Sequence, residues 1–232
     1  MKPNIIVFPG SNCDRDIYVA IKKTTGQTSK MIWHKETSLD NPNLIILPGG
    51  FSHGDYLRSG SIASRAPIMK EVIKKALNGT PVLGICNGFQ ILTECELLPG
   101  ILMRNKNMNF ICKYTFLISK YENNWINKSH INKVISMPVA HHDGNYYADD
   151  KTIERLTKDN RITYQYCNSA GVTEESSNIN GSTNNIAGII NAKENVLGMM
   201  PHPERAIGTK LGGKDGVNFF KKNEAISRKF LF

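Results

Sequence analysis

The stretch PVLGICNGFQ, residues 81–90, decides the fold because it predicts a buried strand, a sharp turn and a helix in close succession. Residues 81–85 form an apolar run typical of a strand, and residues 87–98 have the spacing of a helix. Cys86 stands at the turn, between two glycines that let the backbone close around its side chain. Strand, Gly-x-Cys-x-Gly and helix together are typical of a nucleophile elbow in which sulfur replaces the serine oxygen.

The position of Cys86 at the start of a helix favours a reactive thiol. The helix dipole stabilises the thiolate and lowers the pKa of the thiol from the ~8.5 of free cysteine. The backbone N–H of Asn87 then points towards the place where an oxyanion would form. The alternative is a structural cysteine, since free cysteine is among the most buried residue types.

A base for this thiol is predicted in the segment GMMPHPERA, residues 198–206. Pro203 disfavours the helical conformation at His202, so the chain is expected to be extended there. In an extended chain residues i and i+2 point to the same side, so Glu204 can stand beside the imidazole and orient it. The alternative is a solvated His–Glu pair beside prolines at the start of a helix.

The first half of the chain alternates apolar runs with helical patterns. The runs are almost continuous Val, Ile and Leu, as in strands that are covered on both faces. We therefore expect an α/β fold with a mostly parallel central sheet and helices on both faces. The strands predicted here are 4–8, 30–33, 43–50 and 81–85, and the helices are 14–26, 66–79 and 87–98.

The second half is less regular, but no repeat or linker separates it from the first. We therefore expect a single domain over residues 1–232. The strands predicted here are 109–120, 133–142, 161–167, 185–191 and 195–200, with a helix at 149–159 and an exposed polar loop at 174–185.

Three loops are expected at the carboxyl ends of the strands, where ligands bind in open α/β sheets. They contain FPGSNCD (8–14), LPGGFSHGDYLRSG (47–60) and GICNG (84–88). The first loop holds Cys13, which also precedes a helix and is a rival nucleophile, although it lacks the flanking glycines. The other cysteines are predicted to be inert: Cys95, Cys112 and Cys167.

Composition narrows the function classes. The chain of 232 residues carries 29 basic and 20 acidic residues, a net charge of +9, but its lysines are spread and form no basic block. We therefore expect no nucleic-acid partner, although the charge keeps a non-catalytic nucleic-acid-binding module open as an alternative.

Five scattered cysteines without a CxxC pair predict no metal site. No apolar run is long enough to span a membrane and no signal peptide is evident, so we expect a cytoplasmic location without membrane contact.

The motifs GICNGFQ and PHPE together resemble those of the class I, triad-type glutamine amidotransferases. The runs VFPGSNCDRD, LPGGFSHGDYLRSG and GMMPHPER make the resemblance closer to one family, the glutaminase subunits of phosphoribosylformylglycinamidine synthase in purine biosynthesis. The resemblance covers nearly the whole chain and implies a flavodoxin-like amidotransferase fold. Two departures concern His53, where the family usually has Tyr, and HHDGNY, where it has a run like HGEGNY; they leave the roles of His53 and His142 open.

The resemblance implies a role for each motif residue. Cys86 would attack the side-chain amide of glutamine and form a thioester, while His202 would act as base and then acid, and Glu204 would orient His202. The substrate-binding residues that it implies are Gly50 and Phe51, whose loop would donate to the oxyanion, together with Asn87 and Gln90.

For three residues, one on the helix after Cys86 and two in the loop 47–60, both a functional and a structural role are open. Gln90 lies one helical turn beyond Cys86 and could either touch glutamine or make a contact within the helix start. Asp55 and Arg58 could shape the pocket or contact a partner, but a salt bridge that braces the loop is the favoured interpretation.

The sequence contains neither a GxxxxGK[ST] run nor a GxGxxG fingerprint, so we expect no nucleotide or other cofactor on this chain. By resemblance, ATP and Mg would belong to a larger synthetase subunit that receives the ammonia, often with a small accessory subunit. A peptidase-like or deglycase-like enzyme of the same fold remains the alternative within the enzymes.

Overall fold

The computed structural model describes residues 2–126, 128–209 and 212–221, so the predicted domain of 1–232 extends beyond the described part at both ends. The α-helices with both ends in the described ranges are α1 Asp14–Thr25, α2 Pro67–Leu77, α3 Asn87–Glu94 and α4 Asp150–Lys158, and residues 215–221 are also helical. The strands are β1 Pro3–Val7, β2 Lys30–Trp33, β3 Leu44–Leu47, β4 Val82–Ile85, β5 Ile101–Met103, β6 Ile111–Ile118, β7 Ile135–His141, β8 Asn145–Tyr147, β9 Ile162–Cys167, β10 Ile186–Ile190 and β11 Val196–Met199.

Nine of these strands form one sheet in the order β2-β1-β3-β4-β11-β10-β9-β6-β7. The pairs from β2 to β11 are parallel, and β1, β3, β4 and β11 are buried along almost their whole length. Such continuous burial explains why these strands read as unbroken apolar runs. The predicted α/β fold is confirmed.

The helices α1 and α2 lie on opposite faces of the parallel part. The crossover through α1 leads from β1 outward to β2, whereas the crossover through α2 leads from β3 inward to β4. Both crossovers are expected to be right-handed, so their opposite directions put the two helices on opposite faces. Buried residues on one side of each helix, such as Ile17 and Val72, cover the sheet.

The other half of the sheet is antiparallel. The sequence predicted a mostly parallel sheet and did not indicate which strands would be antiparallel. Here β11 pairs with β10, β10 with β9, β9 with β6 and β6 with β7, all antiparallel. Burial alternates along β7, as it does in strands with one face against the core. A further two-stranded sheet of β5 and β8 was not predicted, because each strand has only three residues.

The parallel pair β4 and β11 lies at the junction of the two halves. Ile85 is opposite Met199 in the register of this pair, and the N–H of Cys86 donates to the Met199 carbonyl at 2.8 Å. Cys86 therefore follows one strand and His202 follows its immediate neighbour at the same edge of the sheet. The helix after Cys86 is shorter than predicted and ends at Glu94, before Glu96 adopts a positive φ of 60°.

No helix in the described ranges combines the length and the apolar character that a membrane span needs.

Replacing Gly88 with Ala should destabilise the protein, because an added Cβ would lie 2.0 Å from the Leu47 carbonyl oxygen of β3. Both groups belong to backbone that cannot move aside, so we expect a loss of about 3 kcal/mol and a melting temperature lower by about 6–12 °C. Gly208→Ala is the control, since a Cβ there meets nothing within 4 Å. Equal melting temperatures of the two variants, measured by calorimetry, would show that the elbow is not packed as described.

Candidate active site

Cys86 occupies a strained turn at the start of α3. Its φ of 51° and ψ of −104° lie outside the regions that L-residues usually adopt. Non-glycine residues are held in such conformations mainly at functional sites, where the surrounding structure compensates for the strain. The side chain is 4% exposed, and Sγ lies 3.6 Å from the carbonyl oxygen of Ala140 on β7. The backbone thus fixes the direction of this thiol, as the elbow pattern predicted.

His202 and Glu204 form the buried pair that the Pro-His-Pro-Glu segment predicted. His202 is not helical, with φ −103° and ψ 88°, but the chain does not stay extended as predicted, because His202 caps a short 3₁₀ helix at Pro203–Arg205. The N–H of His202 donates to the Pro138 carbonyl at 2.8 Å. Nδ1 donates to Oε1 of Glu204 at 2.6 Å. The two residues are 1% and 2% exposed, so the solvated alternative does not describe them.

The imidazole of His202 is set up to carry a positive charge. Burial alone would lower its pKa, but the Glu204 carboxylate and the neighbouring Cys86 and Cys13 thiols hold the pKa well above its usual value. Within the described residues, Nε2 makes no hydrogen bond of ordinary geometry, although the Cys13 and Cys86 sulfurs lie close enough to act on the ring. This nitrogen is therefore available to exchange a proton with a thiol or with a bound molecule.

A second buried histidine, His141, lies beside His202 at the end of β7. Burial and the charge of His202 lower its pKa to about 4, so it is neutral at physiological pH. Its Nδ1 lies 3.0 Å from Oδ1 of Asn105, which is itself fully buried. The motif HHDGNY left the role of the adjacent His142 open, and its ring packs edge-on against that of Phe110, with 5.1 Å between the ring centroids. The alternation of β7 would have indicated that the first of the two adjacent histidines points inward.

Asn87 and Gln90 belong to one hydrogen-bond network in the first turn of α3. The Nδ2 of Asn87 donates to Oε1 of Gln90 at 2.8 Å, and Nε2 of Gln90 donates to the Asp143 carbonyl at 2.7 Å. The Oδ1 of Asn87 accepts from the N–H of Ser52 at 3.2 Å. Both interpretations of Gln90 remain compatible with this network, which connects the elbow to the loops before and after it.

The loop that contains Gly50 and Phe51 is tied to the loop after β1. The Phe51 N–H donates to the Gly10 carbonyl at 2.9 Å, and a Cβ on Gly50 would lie 2.6 Å from that same oxygen. This close approach is what requires glycine at position 50, whose φ is +133°. In this conformation the Phe51 N–H does not point to an oxyanion.

Arg58 braces its loop, as the favoured interpretation expected. Its guanidinium makes two hydrogen bonds with the Glu94 carboxylate of α3, at 2.6 and 2.7 Å. Asp55 has a different environment. Burial, together with the nearby Asp143 charge, raises the pKa of its carboxyl to about 6, although a hydrogen bond from Ser59 opposes the shift.

Cys13 lies in the same site as the predicted nucleophile. A Cβ added to Gly49 would meet three side chains at once: Cε1 of His202 at 2.7 Å, Sγ of Cys13 at 3.2 Å and Cβ of Cys86 at 3.4 Å. The Cys13 sulfur also accepts a hydrogen bond from Nη2 of Arg205 at 3.1 Å. His53, the family departure, stays outside this group and packs edge-on against His34 at 5.1 Å.

One group of side chains could hold a metal ion on geometry alone. The ligand atoms of Cys13, His202 and Glu204 lie within 4.8 Å of one another, and all three residues are buried. However, the guanidinium of Arg205 already places a positive charge next to Cys13. A second cation at this position would be repelled, so the arrangement is better suited to acid–base chemistry.

Comparison with known proteins gives one consistent result. A family model of the CobB/CobQ-like glutamine amidotransferase domain matches residues 1–211. The phosphoribosylformylglycinamidine synthase subunit PurQ of Zymomonas mobilis is 53% identical over 222 residues, which cover 95% of this chain and 96% of the relative. The PurQ subunit of Moorella thermoacetica is 51% identical over 219 residues, with 93% and 92% coverage.

Solved structures agree with the sequence matches. The structure of PurLQS from Thermotoga maritima superposes with a TM-score of 0.80 at 38% identity and covers 97% of each chain. A glutamine amidotransferase from the same organism has a TM-score of 0.57 at 16% identity, with 100% of this chain and 86% of the other covered, and supports the fold alone. The chain belongs to the CobB/CobQ-like glutamine amidotransferase family and, within it, to the glutaminase (PurQ) subunits of phosphoribosylformylglycinamidine synthase.

Proposed function

We propose that Cys86, His202 and Glu204 catalyse the glutamine hydrolysis of this amidotransferase. The thiolate of Cys86 attacks the side-chain carbonyl carbon of glutamine and forms a tetrahedral intermediate. The C–N bond then breaks, ammonia leaves, and a γ-glutamyl thioester remains on the sulfur. Water attacks the thioester and releases glutamate, which restores the thiol.

In this proposal His202 moves the protons of both steps. It takes the proton of the Cys86 thiol, delivers a proton to the leaving amine and then activates the attacking water. Glu204 holds Nδ1 and stabilises the imidazolium. The observation that carries the proposal is the buried 2.6 Å contact between Nδ1 and Glu204, with an unpartnered Nε2 on the side of the strained Cys86.

We further propose that the oxyanion hole is completed only in a complex. The N–H of Asn87 follows the nucleophile directly, but the Phe51 N–H is bonded to Gly10. A partner that reorients the Gly50–Phe51 loop would free this second donor and switch on hydrolysis. Asn87 and Gln90 would meanwhile position the glutamine.

The partner that we propose is the ATP-using synthetase subunit, which would receive the ammonia and convert formylglycinamide ribonucleotide to the amidine. Support comes from the similarity of this chain to the structure of PurLQS from Thermotoga maritima. A small accessory subunit, ATP and Mg on the partner, a cytoplasmic location and a single domain over 1–232 complete the proposal. Neither nucleic acid nor membrane has a role in it.

The first test concerns the nucleophile. Cys86→Ala should lower glutaminase kcat by at least about 10³-fold, because no other step replaces the thioester. A glutamine analogue with an alkylating group should label Cys86 and leave Cys13 unlabelled, as read by peptide mass spectrometry. Cys95→Ser is the control and should keep full activity, since burial raises the pKa of Cys95 to about 11. Labelling of Cys13 alone would reverse the assignment.

The second test concerns the His–Glu pair. His202→Asn should reduce kcat almost as much as Cys86→Ala, and the double variant should be little worse, because residues that act as a unit are not additive. Glu204→Gln should cost less, since the imidazole remains but loses its charged partner. Steady-state kinetics with glutamine measure all three. Turnover of His202→Asn within tenfold of the wild type would remove this residue from the mechanism.

The third test separates supplying ammonia from using it. A complex of the synthetase subunit with Cys86→Ser should lose glutamine-dependent amidine synthesis and keep synthesis from a concentrated ammonium salt at a pH that supplies free NH₃. The replacement of sulfur by oxygen barely changes the volume, so the complex should still assemble. Loss of both activities in an assembled complex would mean that Cys86 does more than release ammonia.

A further inference from the structure

Cys13 and Arg205 form a polar contact that the proposed mechanism does not use. Cys13 precedes the first residue of α1, its N–H donates to the Gly49 carbonyl at 3.3 Å, and the side chain is 2% exposed. Nη2 of Arg205 donates to the sulfur at 3.1 Å, and Nε of the same guanidinium contacts Asp16 of α1 at 3.2 Å. The contact thus joins the start of α1 to the segment that carries His202.

The Cys13 sulfur also lies close to the imidazole of His202. Sγ of Cys13 and the ligand atoms of His202 and Glu204 lie within 4.8 Å of one another. Gly49 leaves the space in which the imidazole, this sulfur and Cβ of Cys86 meet. Besides Glu204, the side chains that act on the buried imidazole and raise its pKa are Cys13 and Cys86.

We propose that the Cys13 thiol, held by Arg205, is a positioning residue that keeps the imidazole of His202 in place beside Cys86. The inference rests on the proposed function, because it assigns a role through His202 and not a reaction to Cys13 itself. A sulfur that accepts a hydrogen bond from the Arg205 guanidinium and lies next to the ring would stabilise the imidazolium, in addition to Glu204.

The charges around His202 determine in which direction its pKa should change when Cys13 is replaced. The groups that face it are Glu204 on its own segment, Cys86 at the elbow, Cys13 at α1 and the neutral His141 on β7, with Arg205 behind Glu204 and Cys13. Cys13 raises the pKa of His202. Removal of its sulfur should therefore let the imidazolium lose its proton at a lower pH.

The test follows the alkylation of Cys86 by iodoacetamide from pH 5 to 10, read by peptide mass spectrometry, in the wild type, Cys13→Ala and Cys13→Ser. In Cys13→Ala the change in rate at alkaline pH, which reports deprotonation of His202, should move down by about one pH unit. In the complex with the synthetase subunit, kcat for glutamine should fall about tenfold with KM within twofold, a loss of transition-state stabilisation without a loss of ground-state binding. Cys13→Ser, which keeps a small polar group, should lie in between.

Cys95→Ser is the matched control and should show the wild-type pH profile. If kcat falls in Cys13→Ala while the alkaline change stays within about 0.2 pH unit, Cys13 is only a packing residue and the inference is wrong. Wild-type values in both Cys13 variants would also overturn the inference. If Cys13→Ala does not fold, the pH profile and kcat of Cys13→Ser decide whether the inference holds. Failure of the wild type to label at Cys86 would instead count against the proposed function.

Discussion

The parallel pairing of β4 with β11 is the constraint on which the rest of the site depends. Ile85 and Met199 are opposite each other, so the next residues of both strands leave the sheet at the same edge. Cys86 begins a helix and His202 caps a short 3₁₀ helix, and the distance between them is set by the spacing of neighbouring strands. Gly88 keeps α3 close to β3, since its Cα approaches the Leu47 carbonyl too closely for any Cβ. A shift of one residue in this register would turn Cys86, the proposed nucleophile, away from His202, its proposed base.

Around this pair the chain balances charges in a volume that excludes water. A buried imidazolium would be unfavourable alone, and Glu204 offsets its desolvation by a direct hydrogen bond. The Arg205 guanidinium offsets the charge of Glu204, donates a hydrogen bond to the Cys13 sulfur and is in turn held by Asp16. The site therefore needs contributions from α1, the elbow and the segment after β11.

The loops around the elbow show how hydrolysis could depend on a partner. The Phe51 N–H is bonded to Gly10, and neighbouring positions such as His53, Asp55 and Leu57 have positive φ values without being glycine. Leu57 is 92% exposed and Tyr56 is 73% exposed, so neither side chain packs into the hydrophobic core. A strained loop with exposed apolar tips is suited to a change of conformation when another surface covers it.

The sequence by itself determined the elements whose signals are local. The run 81–90 predicted a strand, a turn and a helix because glycines and apolar spacing act on neighbouring residues, and Pro203 predicted a non-helical backbone at His202 for the same reason. The bracing role of Arg58 was also anticipated, although its partner Glu94 was not.

Only the tertiary structure decided which residues from distant segments meet. The antiparallel half of the sheet, the inward direction of His141, the bond that occupies the Phe51 N–H and the place of Cys13 beside His202 all depend on pairings across the chain. Cys13 and His202 are far apart in sequence, and the loop and helix start that made Cys13 a rival nucleophile did not indicate which side chains its sulfur would meet. Their meeting follows from the order of β1, β3, β4 and β11 in the sheet, because parallel strands bring the loops after their carboxyl ends to one edge.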